Sequence, residues 1–313
     1  MGVLDAIAGN LFRYGAGWLW YRTVAAAAPE RLFSRASRLT EALGVVTPAF
    51  LLSFDCDAPE DIDSACELDG QLRAMGLKPA YAVPGELLHR GAGVFRRMRE
   101  NGAEFLNHGY VQHVRWNPAS CVYESHFFYD RLPWEDVERD VRAGHQACCE
   151  VLGVEPSGFR TPHFGTFQTW TSLGRLHRLL QTMGYSYSSS TGPLYGFRFG
   201  PLFRTFGLVE MPLSGTFSRP LRLLDSWGWF KAPERSGSPE EFYYEIAALA
   251  GHLKRTGQTL VLNYYADPSH VLGSEAFMRG MRALLSVAQP ASFREVSQRC
   301  PPAWSQRRAS LAT

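Results

Sequence analysis

The chain has 313 residues, 45% hydrophobic and 20% charged, with a formal net charge of +2. These proportions fit a globular chain with room for one large α/β domain or two small ones. So small a charge, with basic residues scattered apart from Arg307 and Arg308, lacks the footprint of a nucleic-acid binder, and no nucleic-acid partner is expected.

The N-terminal stretch NLFRYGAGWLWYRTVAAAAPERLF is aromatic and apolar, yet only eight residues separate Arg13 from Arg22. A membrane span needs roughly 20 apolar residues. The stretch instead reads as an amphipathic helix, lying on the domain or making peripheral contact with a membrane. The alanines at 25–28 look like a signal-peptide cleavage region, but Asp5 and Arg22 argue against that reading.

TPAFLLSF predicts a buried strand, and DIDSACELDGQLRAMG a helix stopped by Gly76. KPAYAVPG is a second strand, GVFRRMRENG a second helix and AEFLNHG a third strand. PWEDVERDVRAGHQACCEVLG is a helix with Pro133 near its start and Gly153 at its end. PSGFRTPHFG follows as strand and loop, then TSLGRLHRLLQTMG as a helix and YSYSSS as a strand. LVEMPLS and TLVLNYYADP are later strands. Between them SPEEFYYEIAALAGHLKRTG is a helix with a capping box from Ser238 to Glu241, and SEAFMRGMRALLSVA is the last long helix. Alternation of this kind predicts parallel strands with helices outside, about seven strand-helix units in a barrel-like α/β domain. The expected organisation is an N-terminal helical extension over residues 1–45, the barrel over 46–300 and a tail over 301–313. Six cysteines without a C-x-x-C pair predict free thiols in a reducing, cytoplasmic compartment.

In such a fold, active residues gather at the C-terminal ends of strands. Asp55, Asp57, His108, Arg160 and the segment near His270 all fall just after predicted strands. Asp55 and Asp57, two apart, share a strand face. Asp57 with two histidines would make the three-ligand set of a catalytic zinc site, while a helix cap is the bland reading of the same acid. His108 and His113 are five apart, roughly 140° around a regular helix. They can share a metal only across a loop, which Gly109 permits, and they could equally be ordinary hydrogen-bonded histidines. An arginine at 160 would keep a neighbouring acid ionised, or form a surface salt bridge. Pro162 would turn His163 to the mouth of the site. Phe164, Trp227 and Trp229 are surfaces for a sugar ring, or core. Walker, Rossmann, serine-hydrolase elbow and H-E-x-x-H motifs are absent from the sequence.

Four segments in order, SFDCDAPED, KPAYAVPGELL, RENGAEFLNHGYVQH and GFRTPHFG, resemble the polysaccharide deacetylase family. This family is also called the NodB-homology or carbohydrate esterase 4 family, and the match is to its D-x-D-A branch. The resemblance spans residues 48–167, and more loosely 168–300. It implies a distorted (β/α) barrel and a hydrolase that uses a divalent metal, usually Zn²⁺. It also implies that Asp57, His108 and His113 bind the metal, that Asp55 is the general base and that Arg160 holds Asp55. By the same resemblance, a late histidine, here His270, protonates the leaving amine. From their own places in the sequence, His163, Phe164 and Trp227 are the expected substrate contacts.

The chain departs from the pattern in three places. The family spaces its metal histidines four apart, whereas Gln112 stands at that position here and His113 one further, so a loop insertion or a role for His126 is implied. Asn263 and Tyr264 stand where the late histidine would directly follow the strand. The family's late acid and tryptophan are echoed only by Asp225 and Trp227. The expected reaction is removal of an acetyl or formyl group from an amino sugar in a glycan, lipid-linked sugar or glycoconjugate. A hydrolase of small cyclic amides or ureides and an inactive glycan-binding member are the alternatives.

Overall fold

The computed structural model describes residues 17–232 and 234–300. Two helices lead in, α1 (Gly17–Ala27) and α2 (Pro29–Glu41). Pro29 lacks the N–H to extend α1 and starts α2 instead. Strand β1 (Ala49–Asp55) is followed by α3 (Asp61–Ala74), β2 (Ala80–Val83), α4 (Gly85–Arg90), α5 (Ala92–Glu100) and β3 (Glu104–Asn107). A hairpin of β4 (Val114–Asn117) and β5 (Val122–Ser125) precedes α6 (Trp134–Leu152). Then come β6 (Gly158–Phe159), α7 (Trp170–Thr182), β7 (Tyr187–Ser188), α8 (Pro193–Phe199), β8 (Phe203–Thr205) and β9 (Leu208–Glu210). The chain continues through α9 (Pro239–Thr256), β10 (Val261–Ala266), α10 (Pro268–Val271), α11 (Glu275–Leu285), β11 (Gln289–Pro290) and α12 (Phe293–Ser297).

The main sheet runs β10-β1-β2-β3-β6-β7-β9-β8, with β11 added beside β1. Every pairing in it is parallel except β8 with β9. This is the curled α/β barrel that the alternation of elements predicts. Alternate residues of β1 serve two cores. Phe50, Leu52 and Phe54 pack under the outer helices, in one cluster with Cys56, whereas Ala49 and Leu51 line the interior with Ala80, Ala82 and Leu106. Both faces are covered, so all seven residues of β1 are buried. Trp18, Tyr21, Leu32 and Phe33 join the outer core, so α1 and α2 lie against the barrel. Among the described residues no helix is long and apolar enough to cross a membrane. The tail over 301–313 and the first part of the N-terminal extension lie outside the described residues.

The gap between β9 and β10 is closed by chain rather than by a strand. Met211 donates its N–H to the Ser188 carbonyl, Leu213 to Thr191 and Ser214 to Asn263, each at 2.8 Å. Asn263, the residue that departs from the family pattern, fastens this closure. Its Nδ2 donates to the Ser189 hydroxyl at 3.1 Å and to the Met211 carbonyl at 2.9 Å. Replacing Asn263 with Ala strips buried acceptors of their donor. Denaturant titration should show a loss of about 2–3 kcal/mol at unchanged m-value.

Candidate active site

The candidate residues collect at the C-terminal ends of the barrel strands. Asp55 ends β1 and Asp57 follows it; His108 follows β3; Arg160 follows β6; His270 lies on α10, just beyond β10. Arg160 is fully buried. Its Nη1 donates to Asp55 Oδ1 at 3.0 Å and its Nη2 to the Ser53 hydroxyl at 2.6 Å. The Phe164 and Tyr265 rings lie 5.0 and 5.6 Å from the guanidinium carbon. Burial pushes the Asp55 carboxyl up, and Arg160 and His108 pull it only part of the way back.

One side-chain atom each of Asp57, His108 and His113 lies within 4.8 Å of the other two. His108 Nε2 is 3.4 Å from Asp57 Oδ1, and His113 Nδ1 is 3.2 Å from the same oxygen. This donor set suits a divalent metal, and a test of fit lies in the tautomer. His108 Nδ1 lies 2.8 Å from the Arg160 carbonyl oxygen and must donate to it. That leaves the Nε2 lone pair facing Asp57, which is the orientation a ligating histidine needs. His113 is completely buried, with Nε2 lacking a protein hydrogen-bond partner. Burial, reinforced by His108, lowers its pKa and favours the neutral, ligating form. Burial alone would raise Asp57, but the two imidazoles beside it hold it well below the usual carboxylate range.

Residues 108–113 form a loop, and its shape absorbs the five-residue spacing. Gly109 takes φ +77°, and a Cβ there would sit 2.2 Å from Asp140 Oδ2. Asp140, from α6, accepts the N–H groups of Tyr110 at 3.1 Å and Val111 at 2.8 Å, and the Tyr129 hydroxyl at 2.6 Å. Asn107 accepts the Gly109 N–H at 2.9 Å. Gly144 lets the helix approach, since a Cβ there would lie 2.4 Å from the Gly109 carbonyl oxygen. Gln112 turns away and donates to the Val114 carbonyl at 3.0 Å. His126 stands outside the cluster, exposed, with Nδ1 bonded to the His113 carbonyl at 3.1 Å.

His270 Nδ1 is 2.8 Å from Asp267 Oδ2 and 3.2 Å from the Ser226 hydroxyl. Burial lowers the His270 pKa, but the Asp267 carboxylate more than offsets this and the net shift is upward. Burial raises Asp267 in turn, to about 7. The carboxylate and the imidazole therefore titrate as a coupled pair. Trp227 lies 5.9 Å from the His270 ring. Trp229 is core, 4% exposed. His163 has φ +52° and stacks on Phe128 at 4.4 Å, and its ring is 5.8 Å from that of His113. Burial, together with His113, brings its pKa down to about 4. Phe164 meets Tyr265 at 4.9 Å.

Two positioning residues escape a motif reading. Asp61 accepts the Ala58 N–H at 2.8 Å and the Ser269 N–H at 3.0 Å, tying the Asp57 loop to the His270 loop. Its place in the first turn of α3 makes it look like a simple helix-start acid. Asp140 had a visible signal, an acid within the apolar stripe of Val137, Val141, Gly144 and Cys148.

No family model matches the sequence, and no curated protein does. Solved structures do share its fold. A candidate polysaccharide deacetylase from Mycobacterium smegmatis is 20% identical, with a TM-score of 0.58 over 82% of this chain and 92% of that one. Puue allantoinase is 12% identical, with a TM-score of 0.58 over 81% of this chain and 89% of its own. A family 4 carbohydrate esterase from Streptomyces lividans, in complex with acetate, is 15% identical with a TM-score of 0.46, over 77% and 90% of the two chains. The first two likenesses show the fold, the (β/α) barrel expected from the motifs.

If Asp140 shapes the metal loop, Asp140→Ala should weaken Zn²⁺ binding by about 10- to 100-fold in a competition titration, while circular dichroism shows the fold retained.

Proposed function

We propose that this chain is a metal-dependent hydrolase that removes an acetyl or formyl group from the nitrogen of an amino sugar, in a glycan, lipid-linked sugar or glycoconjugate. The observation that carries this reading is the cluster of half-buried Asp57 with buried His108 and His113, beside an acid, Asp55, that a buried arginine orients. Asp57, His108 and His113 would hold the metal, and two imidazoles with one carboxylate suit zinc, although cobalt, nickel and iron accept the same donors. A divalent cation bound there supplies Lewis acidity, polarising the acyl carbonyl and lowering the pKa of water to about 7.

The chain's own groups then divide the proton work. Asp55 Oδ1 is held by Arg160, which leaves Oδ2, 3.9 Å from His108 Nε2, to take a proton from the attacking water. His270 commits Nδ1 to Asp267 and Ser226, so Nε2 is the atom that delivers a proton to the departing amine. Without that proton, expulsion of an amide anion is prohibitively slow. His163, neutral with a pKa of about 4, would act on the sugar by hydrogen bonding rather than by charge. Phe164 and Trp227 would supply apolar surface to the ring.

Purified protein should contain about one metal ion per chain and release free amine from N-acylated sugars. Chelation, Asp57→Ala or His108→Ala should each lower that rate by at least about a thousandfold. A panel should include small cyclic ureides, because a barrel of this kind also serves an allantoinase. Activity that ignores both substitutions would refute the reading, and glycan binding with neither metal nor turnover would point to an inactive binding protein.

The pH profile offers a separate check. A histidine with a raised pKa keeps its proton, and its role as an acid, until pH climbs through that raised value. Asp267→Asn removes the carboxylate that raises His270, so the alkaline limb of kcat/KM should move down by about one pH unit.

A further inference from the structure

We propose that α1 and α2 form a peripheral membrane dock, which seats the chain on a bilayer of acidic phospholipid. Only one side of α1 lies on the barrel. Trp18 and Tyr21 are buried there, with Val24 and Ala25 packed beside them. The opposite side exposes Leu19, Trp20, Thr23, Ala26 and Ala27, and no charge. Leu19 is 47% exposed and Trp20 54%. A helix on a water-facing surface normally sets charged residues opposite its buried stripe. The single charge of α1, Arg22, stands at the flank, over the Trp18 ring at 5.1 Å. Residues 1–16, which lead into this helix, hold Val3, Leu4, Ile7, Leu11 and Phe12 but a single acid, Asp5.

Helix α2 supplies the charge that selects the bilayer. A cleft between the two helices is lined by Trp20, Tyr21, Arg31, Ser34, Arg35 and Arg38. The arginines fall at i, i+4 and i+7, on one face of α2. The acids of the same helix, Glu30 and Glu41, lie roughly 80–100° further round the axis. Arg35 is tied down, its Nε donating to the Phe197 carbonyl at 3.0 Å. Arg22, Arg31 and Arg38 are exposed, and among the described residues none of the three has an ion-pair partner. Apolar rings edged by such arginines match the layers of an acidic membrane surface. Trp20 and Leu19 would enter the boundary between acyl chains and headgroups, while the guanidiniums meet phosphates. A second copy of this chain fits less well, since a two-fold contact would crowd the arginines of both copies together.

The test mixes the purified full chain with vesicles of phosphatidylcholine alone or of phosphatidylcholine and phosphatidylglycerol in equal parts, and reads the bound fraction by flotation. Binding should favour the acidic vesicles by about tenfold or more and fall as salt rises. Arg31→Glu combined with Arg38→Glu should cost roughly thirtyfold on the acidic vesicles. Trp20→Ser should cost about tenfold, with circular dichroism unchanged in both variants. Equal binding to the two vesicles, or acidic-vesicle binding that survives either variant, overturns the proposal. So does a full chain that binds neither; a dimer by sedimentation that Trp20→Ser dissociates then makes a second copy the cover, and a monomer leaves residues 1–16 as the cover. No acylated sugar enters the measurement, so its outcome is independent of the hydrolase reading.

Discussion

A guanidinium removed from water must be paired, and Arg160 imposes that demand on the whole strand-end face. The side chain is fully buried. A lone buried cation costs several kcal/mol, so Asp55 and Ser53 on β1 must present oxygens where Arg160 arrives from β6. The same residue's carbonyl accepts from His108, which fixes the imidazole tautomer after β3. Its planar cation also lies near Phe164 and Tyr265, the latter on β10. One residue therefore fixes the Asp55 carboxyl, the His108 ring and the aromatic wall together. It need not touch substrate to do so.

The Asp57–His108–His113 cluster depends on a second set of constraints, centred on Asp140. Backbone N–H groups in a tight loop must find acceptors once buried. Asp140 takes those of Tyr110 and Val111, and Asn107 takes that of Gly109. With these satisfied, the loop can turn sharply enough to bring His113 round to Asp57, their rings and carboxylate meeting beside His108. Close approach of α6 is then obligatory, which is why Gly144 leaves no room for a Cβ. The spacing of the histidines is thus decided on a helix some thirty residues downstream.

That distance explains what the sequence could and could not reveal. Strand and helix alternation was legible because each element carries its own periodicity, and the Ser238 capping box appears in the structure as read. The pairing of Asp55 with Arg160 came from the family resemblance rather than from any local pattern. Whether His113 or His126 joins the cluster was open, because it depends on hydrogen bonds to Asp140 that no local pattern encodes. The β4–β5 hairpin went unread, since strands of four residues give too little alternation to stand out. As ring surfaces Trp227 and Trp229, two apart, looked equivalent, and only the resemblance singled out Trp227. They lie in one helical turn (Trp227–Lys231), where residues two apart point to nearly opposite sides, so one meets His270 and the other enters the core.

The proposed chemistry needs one group that accepts a proton and another that gives one, within a single cleft and at one pH. Here burial acts on two carboxylates in the same direction, raising both Asp55 and Asp267. Their partners separate the roles. A guanidinium cannot surrender its proton at any relevant pH, so Arg160 stabilises Asp55 as an anion and therefore as a base. An imidazole can, so Asp267 stabilises a charged His270 without trapping its proton. Exchanging the partners would exchange the functions. The division of labour therefore resides in the choice of cation beside each acid rather than in the acids themselves.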